Sequence, residues 1–69
     1  MLVDLSNVSR VKDFVKVSQD CKEEILIKSG KYIVDGKSIL GIFSLDLSKP
    51  VELELDESIK PRFAEFEAK

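Results

Sequence analysis

Apolar and polar positions change period several times along the chain, and each change marks an element. Leu2, Val3 and Leu5 form a short β-prone run that stops at Ser6 and Asn7, both good helix-capping residues. From Val8 the period lengthens: Val8, Val11, Phe14 and Val15 fall on one helical face, with Arg10, Lys12, Asp13 and Lys16 turned elsewhere. The spacing predicts a helix over about Val8 to Ser18, broken by the polar cluster from Ser18 to Lys22. Two β-rich runs follow, Glu24 to Lys28 and Lys31 to Val34, separated by Ser29 and Gly30. Glycine takes the positive φ of a tight turn at little cost, so these runs predict a hairpin. A two-residue loop places Ile25 and Ile27 on one face with Tyr32 and Val34, and a longer loop turns Ile33 inward instead.

Asp35 and Gly36 turn the chain into a second helix, expected from about Ser38 to Leu45. Its Ile39, Leu40, Ile42 and Phe43 cover more than one face, so some of that surface is expected to stay exposed. A helix this short is held by packing rather than by its own propensity. Pro50 forbids its continuation, and Val51, Leu53 and Leu55 then alternate with Glu52 and Glu54, the clearest strand in the chain. A last segment carries Ile59, Phe63 and Phe66 at helical spacing, with Pro61 tolerable only in a first turn. A third helix is therefore expected from near Ser58 or Lys60 to about Ala68. The order β-α-β-β-α-β-α, with strands polar on one face, predicts an α+β open-faced sandwich, a four-stranded antiparallel sheet with helices on one side. A ferredoxin-like split βαβ arrangement shares the first six elements and is the main rival.

Length turns this pattern into a single expected domain over residues 1–69, with one small core whose apolar faces must be shared between elements. Charge narrows the partners. Eleven Lys and Arg against thirteen Asp and Glu give −2, with no basic run to neutralise a phosphate backbone, which argues against nucleic acid. Apolar runs stay far below the roughly 20 residues of a membrane span. Met1, Leu2 and Val3 meet Asp4 at once, unlike a secretory leader, so the expected compartment is the cytoplasm.

The chemistry is narrowed further by what the chain lacks. There is no histidine, which removes imidazole acid–base work, imidazole phosphotransfer and most zinc chemistry. Cys21 is the one cysteine, without a histidine to activate it, and reads as a small residue at a helix end. Asp56 with Glu57, and Glu52 with Glu54, read as dipole compensation and a solvated strand face rather than paired catalytic carboxylates. No metal site, cofactor or enzymatic activity is expected.

The stretch Lys37, Ser38, Ile39, Leu40, Gly41, Ile42, Phe43, Ser44, Leu45 resembles the segment Lys-Ser-Ile-Met-Gly-Val-Met-Ser-Leu of HPr, the histidine-containing phosphocarrier of the bacterial sugar phosphotransferase system. The order of elements agrees as well. The resemblance implies an HPr-like sandwich with strand order 1-4-2-3, in contrast to the ferredoxin-like 4-1-3-2. It also implies a catalytic histidine in a His-Ala-Arg-Pro motif opening helix one, and a regulatory serine opening helix two. The histidine motif falls around Ser6, Asn7, Val8 and Ser9, with Asn7 as the counterpart of the histidine and neither arginine nor proline in place. A carboxamide forms no phosphoramidate, so phosphoryl relay through this position is not expected.

The serine position matches outright at Ser38. In the family this serine is phosphorylated by HPr kinase, and the modified protein binds a transcriptional regulator. The resemblance thus implies a degenerate, non-catalytic HPr-like protein acting in carbohydrate uptake or catabolite control, with Ser38 as its switch. Ile39, Leu40 and Phe43 correspond to an apolar docking patch in the family. The plainer readings are a helix cap worth about 1 kcal/mol for Ser38, and core packing for the three apolar residues.

Overall fold

The computed structural model describes residues 1–68; Lys69, the last residue of the expected domain, lies outside the described residues. In chain order the elements are β1 (Leu2–Val3), α1 (Val8–Gln19), β2 (Leu26–Ser29), β3 (Tyr32–Asp35), α2 (Ile39–Phe43), β4 (Val51–Glu54) and a C-terminal 3₁₀ segment (Glu57–Phe66). The strands form one antiparallel sheet in the order β1-β4-β2-β3, which is the 1-4-2-3 arrangement and excludes the ferredoxin-like rival.

The hairpin register takes the two-residue-loop form. Ser29 faces Tyr32 and Ile27 faces Val34, leaving Gly30 and Lys31 as the loop. Gly30 has φ +60° and no described non-glycine residue has positive φ, the pattern of a type II′ turn with glycine first. Ile27 and Val34 thereby point toward the helices with Leu53, while Lys28, Glu52 and Glu54 line the open face. There Lys28 Nζ meets Glu54 Oε1 at 2.8 Å, a pair exposed enough to contribute little. Gly36 is required sterically: a Cβ there would lie 2.5 Å from Ile25 Cγ2, and its N–H already donates to Ile25 O at 2.8 Å.

The core lies between the sheet and the helical layer. Val3, Leu5, Ile25, Ile27, Val51 and Leu53 supply the sheet side, and Val11, Phe14, Val15, Ile42, Ile59, Phe63 and Phe66 the other. Its centre is aromatic, with Phe14 5.2 Å from Phe63 and 5.4 Å from Phe66 between ring centroids, the latter edge-on. Of the expected α1 stripe, Val8 falls outside the core at 55% exposure, because the first turn projects past the sheet. Ser18 closes the stripe at the other end. Its Oγ is buried with no hydrogen-bond partner among the described residues.

The element boundaries differ from expectation in two informative places. Helix two shrinks to Ile39–Phe43, since Ser38 serves as its cap and Ser44 and Leu45 close the end with N–H bonds to Gly41 and Ile42, three residues back. The third helix is 3₁₀ rather than α, and it ends at Phe66 rather than Ala68. Pro61 sits inside it, where the ring removes a donor and opposes α-type bonding. The 3₁₀ rise also carries ten residues about 20 Å rather than about 15 Å. That reach lets the chain end return to the sheet: Val3 bridges Glu67, and the Ala68 N–H donates to Leu2 O at 2.9 Å.

Candidate functional site

Both positions singled out by the motifs are helix caps of the same construction. Asn7 is extended, with φ −133° and ψ 157°, and its Oδ1 accepts the Arg10 N–H at 2.9 Å. Ser38 is likewise extended, with φ −105° and ψ 110°, and its Oγ accepts the Gly41 N–H at 3.1 Å. Each side chain thus satisfies an amide that the first helical turn leaves free. The cap at Ser38 is further organised by Asp35, whose Oδ1 accepts the Lys37 N–H at 2.9 Å and whose backbone O accepts the Ser38 N–H at 3.1 Å. Gly41 fits closely beneath it, since a Cβ there would lie 3.3 Å from Ser38 Oγ.

The two caps are not neighbours. Lys37 O accepts a bond from Gln19 Nε2 at 3.2 Å, and Lys37 Nζ donates to Cys21 O at 2.8 Å, so Ser38 sits beside the C-terminal end of α1. Asn7 stands at the opposite end of that twelve-residue helix, a separation of about 18 Å along its axis.

The apolar residues of α2 divide sharply. Ile42 is fully buried and anchors the helix, Ile39 is half-buried against the core, Phe43 is 43% exposed and Leu40 81% exposed. Tyr32 adds to this surface at the hairpin end. It lies on the helix-facing side of the sheet, yet is 72% exposed because α2 stops short of covering it. The sequence placed Tyr32 on the face of Ile25 and Ile27 only for a two-residue loop, and its exposure there is not signalled by alternation.

The contacts that hold the Asn7 end were also invisible to local pattern. Arg10 donates from Nε to Asp4 O at 2.6 Å and from Nη2 to Glu65 O at 3.2 Å, and its guanidinium lies 5.7 Å from the Phe66 ring centroid. This side chain links the start of α1 to the C-terminal segment and is spent on backbone carbonyls. At the other end Arg62 binds Asp20 Oδ2 at 2.6 Å and reaches Cys21 Sγ at 3.4 Å, and the bond to Asp20 holds its guanidinium above its ordinary pKa. Cys21 itself is buried at the helix end, its thiol donating to Val17 O at 3.3 Å. Three aspartates are held below the usual carboxylate range by serines two residues on. The Ser6 hydroxyl and then its N–H act on Asp4, the Ser48 hydroxyl and then its N–H on Asp46, and the Ser58 N–H and then its hydroxyl on Asp56. Among the described residues no group of three or more acidic or cysteine side chains could hold a metal ion, and no helix is long and apolar enough to cross a membrane.

Set against known structures, this arrangement has a clear structural neighbour. A crystal structure of HPr-C-His from Thermoanaerobacter tengcongensis superposes with a TM-score of 0.73 over 94% of this chain and 81% of that chain, at 21% sequence identity. The chain therefore has the HPr-like α+β open-faced sandwich fold. No known family profile matches the sequence, and no curated protein does either.

Proposed function

We propose that this chain is a non-enzymatic, HPr-like regulatory protein of the bacterial cytoplasm that acts by contact with a protein partner at α2. Its switch is phosphorylation of Ser38 by an HPr kinase, and the partner of the modified form is a transcriptional regulator of carbohydrate uptake or catabolite control. The observation that carries this reading is the surface of α2, where Leu40 and Phe43 stand exposed one turn from a serine cap. The helix is anchored by Ile42, with Ile39 packed partly against the core, and Leu40 in particular is left to solvent.

The Ser38 hydroxyl already receives the Gly41 N–H. A phosphate there would place about −1.5 to −2 charges and several acceptor oxygens at the same amide. The side chain is only half-buried, which leaves it within reach of a kinase. At the other end of α1, the chain has Asn7 where the phosphocarriers it resembles have histidine, and no histidine anywhere. No phosphoryl relay from phosphoenolpyruvate is part of this reading.

Incubation with a bacterial HPr kinase and ATP tests the switch: wild type gains one phosphate by mass, and Ser38→Ala gains none. An unmodified wild type, or equal modification of both, overturns it. Incubation with phosphoenolpyruvate and the upstream enzyme of the sugar system should leave no acid-labile phosphate on the chain. The partner surface is tested by capture with wild type against a Leu40→Glu, Phe43→Glu double variant, where loss of the regulator only in the variant is expected.

A further inference from the structure

The two edges of the sheet are treated differently. The outer edge of β1 is occupied by the chain's own end, through the Val3 to Glu67 bridge and the Ala68 N–H on Leu2 O. Nothing among the described residues pairs with the outer edge of β3, although unpaired edges are what sheets normally cover, charge or shorten. The donors on that edge are identifiable. The Gly36 N–H bonds to Ile25 O, and along an antiparallel ladder the inward amides alternate, so Tyr32, Val34 and Gly36 face β2. Ile33 consequently presents both its N–H and its C=O outward, and its side chain is 58% exposed.

The turn residue Lys31 and the edge strand Tyr32-Ile33-Val34-Asp35 that follows it are complementary to themselves when reversed. An antiparallel copy with its two-fold axis at Ile33 sets Ile33 opposite Ile33, Tyr32 opposite Val34, and each Lys31 opposite an Asp35. The axis falls on a residue whose N–H and C=O both point out, so the central pair exchanges two backbone bonds. Ile33 and Asp35 lie on the open face and Tyr32 with Val34 on the helix-facing side, with Lys31 in the turn that precedes them. The two flanking charges are of opposite sign and symmetrically placed, so in this register each meets its opposite across the pair.

We infer that β3 is a homodimerisation edge, through which two copies of this chain join as an antiparallel β3–β3 pair into a continuous eight-stranded sheet. The contact is small beside the about 1,200 Å² of a standard complex, so the dimer is weak and concentration-dependent, with Kd between about 10 μM and 1 mM. The inference is independent of any modification of Ser38.

Sedimentation equilibrium over a concentration series is the test. Wild type is expected to pass from monomer to dimer within that range. Lys31→Glu turns both Lys31–Asp35 pairs repulsive, as does Asp35→Lys, and each should weaken association roughly tenfold; Asp35→Lys also removes the acceptor of the Lys37 N–H, so its monomer fold is checked by circular dichroism. An equimolar mixture of the two variants restores attraction at both positions and should dimerise as wild type does. Ile33→Pro deletes an N–H that the monomer's ladder does not use, together with the central Ile33 side chain, so it should abolish the dimer while circular dichroism shows the monomer fold retained. A wild type that stays monomeric to about 1 mM overturns the inference. So does a dimer that neither charge reversal weakens, or a mixture no tighter than its components.

Discussion

The two helices begin alike and end very differently. Asn7 and Ser38 each accept the N–H three residues on, so the local start signal of α1 and of α2 is the same. After that α1 runs twelve residues with Val11, Phe14 and Val15 in the core, whereas α2 runs five with Ile42 alone fully buried. The comparison separates two uses of apolar residues. On α1 they hold the fold, while on α2 Leu40 and Phe43 are exposed, which is what the proposed partner contact rests on. At the start of α1, Arg10 is committed to the carbonyls of Asp4 and Glu65.

The largest test of this contrast is Phe14→Ala, which removes the hub of the aromatic core and should cost about 3–5 kcal/mol in a urea titration. For a domain of this size that is enough to leave much of it unfolded. Removing the caps comes next: Asn7→Ala and Ser38→Ala should each cost about 1 kcal/mol. Asn7→Ala should be felt by the whole domain. Ser38→Ala should be expressed mainly as faster amide exchange in α2, because so little of that helix is packed. A cost from Ser38→Ala much above that of Asn7→Ala would reverse the assignment of roles.

Acid gives a smaller effect. Asp4, Asp46 and Asp56 have folded pKa values below their unfolded ones, so each contributes stability while ionised, and that contribution is lost as pH falls through the lowered values. The urea midpoint should therefore hold level from pH 7 to about 5 and decline below about 4. The smallest expected effect is that of Leu40→Glu on stability, within about 0.5 kcal/mol. A substantial loss would show that Leu40 holds the fold rather than standing free for a partner.

Much of this was legible in the chain. Period-two alternation at Val51, Leu53 and Leu55 and period-3.6 spacing at Val11, Phe14 and Val15 report burial directly, because a strand or helix exposes its side chains in that rhythm whatever it packs against. Ser6, Asn7 and Ser38 marked helix starts for an equally local reason, since a cap bonds within its own first turn. The hairpin register, by contrast, depended on how Ser29 and Tyr32 met across Gly30 and Lys31, and two loop lengths fitted the same residues.

What the tertiary structure alone decided involved partners distant along the chain. Pro61 suggested a helix start, but the stretch around it is 3₁₀, which spans more length per residue, and its end pairs with β1. Arg10 looked like a solvated helix residue and is instead a link across 55 positions to Glu65. Tyr32 belongs by alternation to the covered face and is exposed only because α2 ends before reaching it. The sequence by itself therefore determined the order of elements, the caps and the lack of an imidazole. Strand order was readable from the sequence only through the resemblance to HPr, and the closed edge at β1 and the open edge at β3 belong to the folded chain, because they depend on which distant segments meet and no local period encodes that.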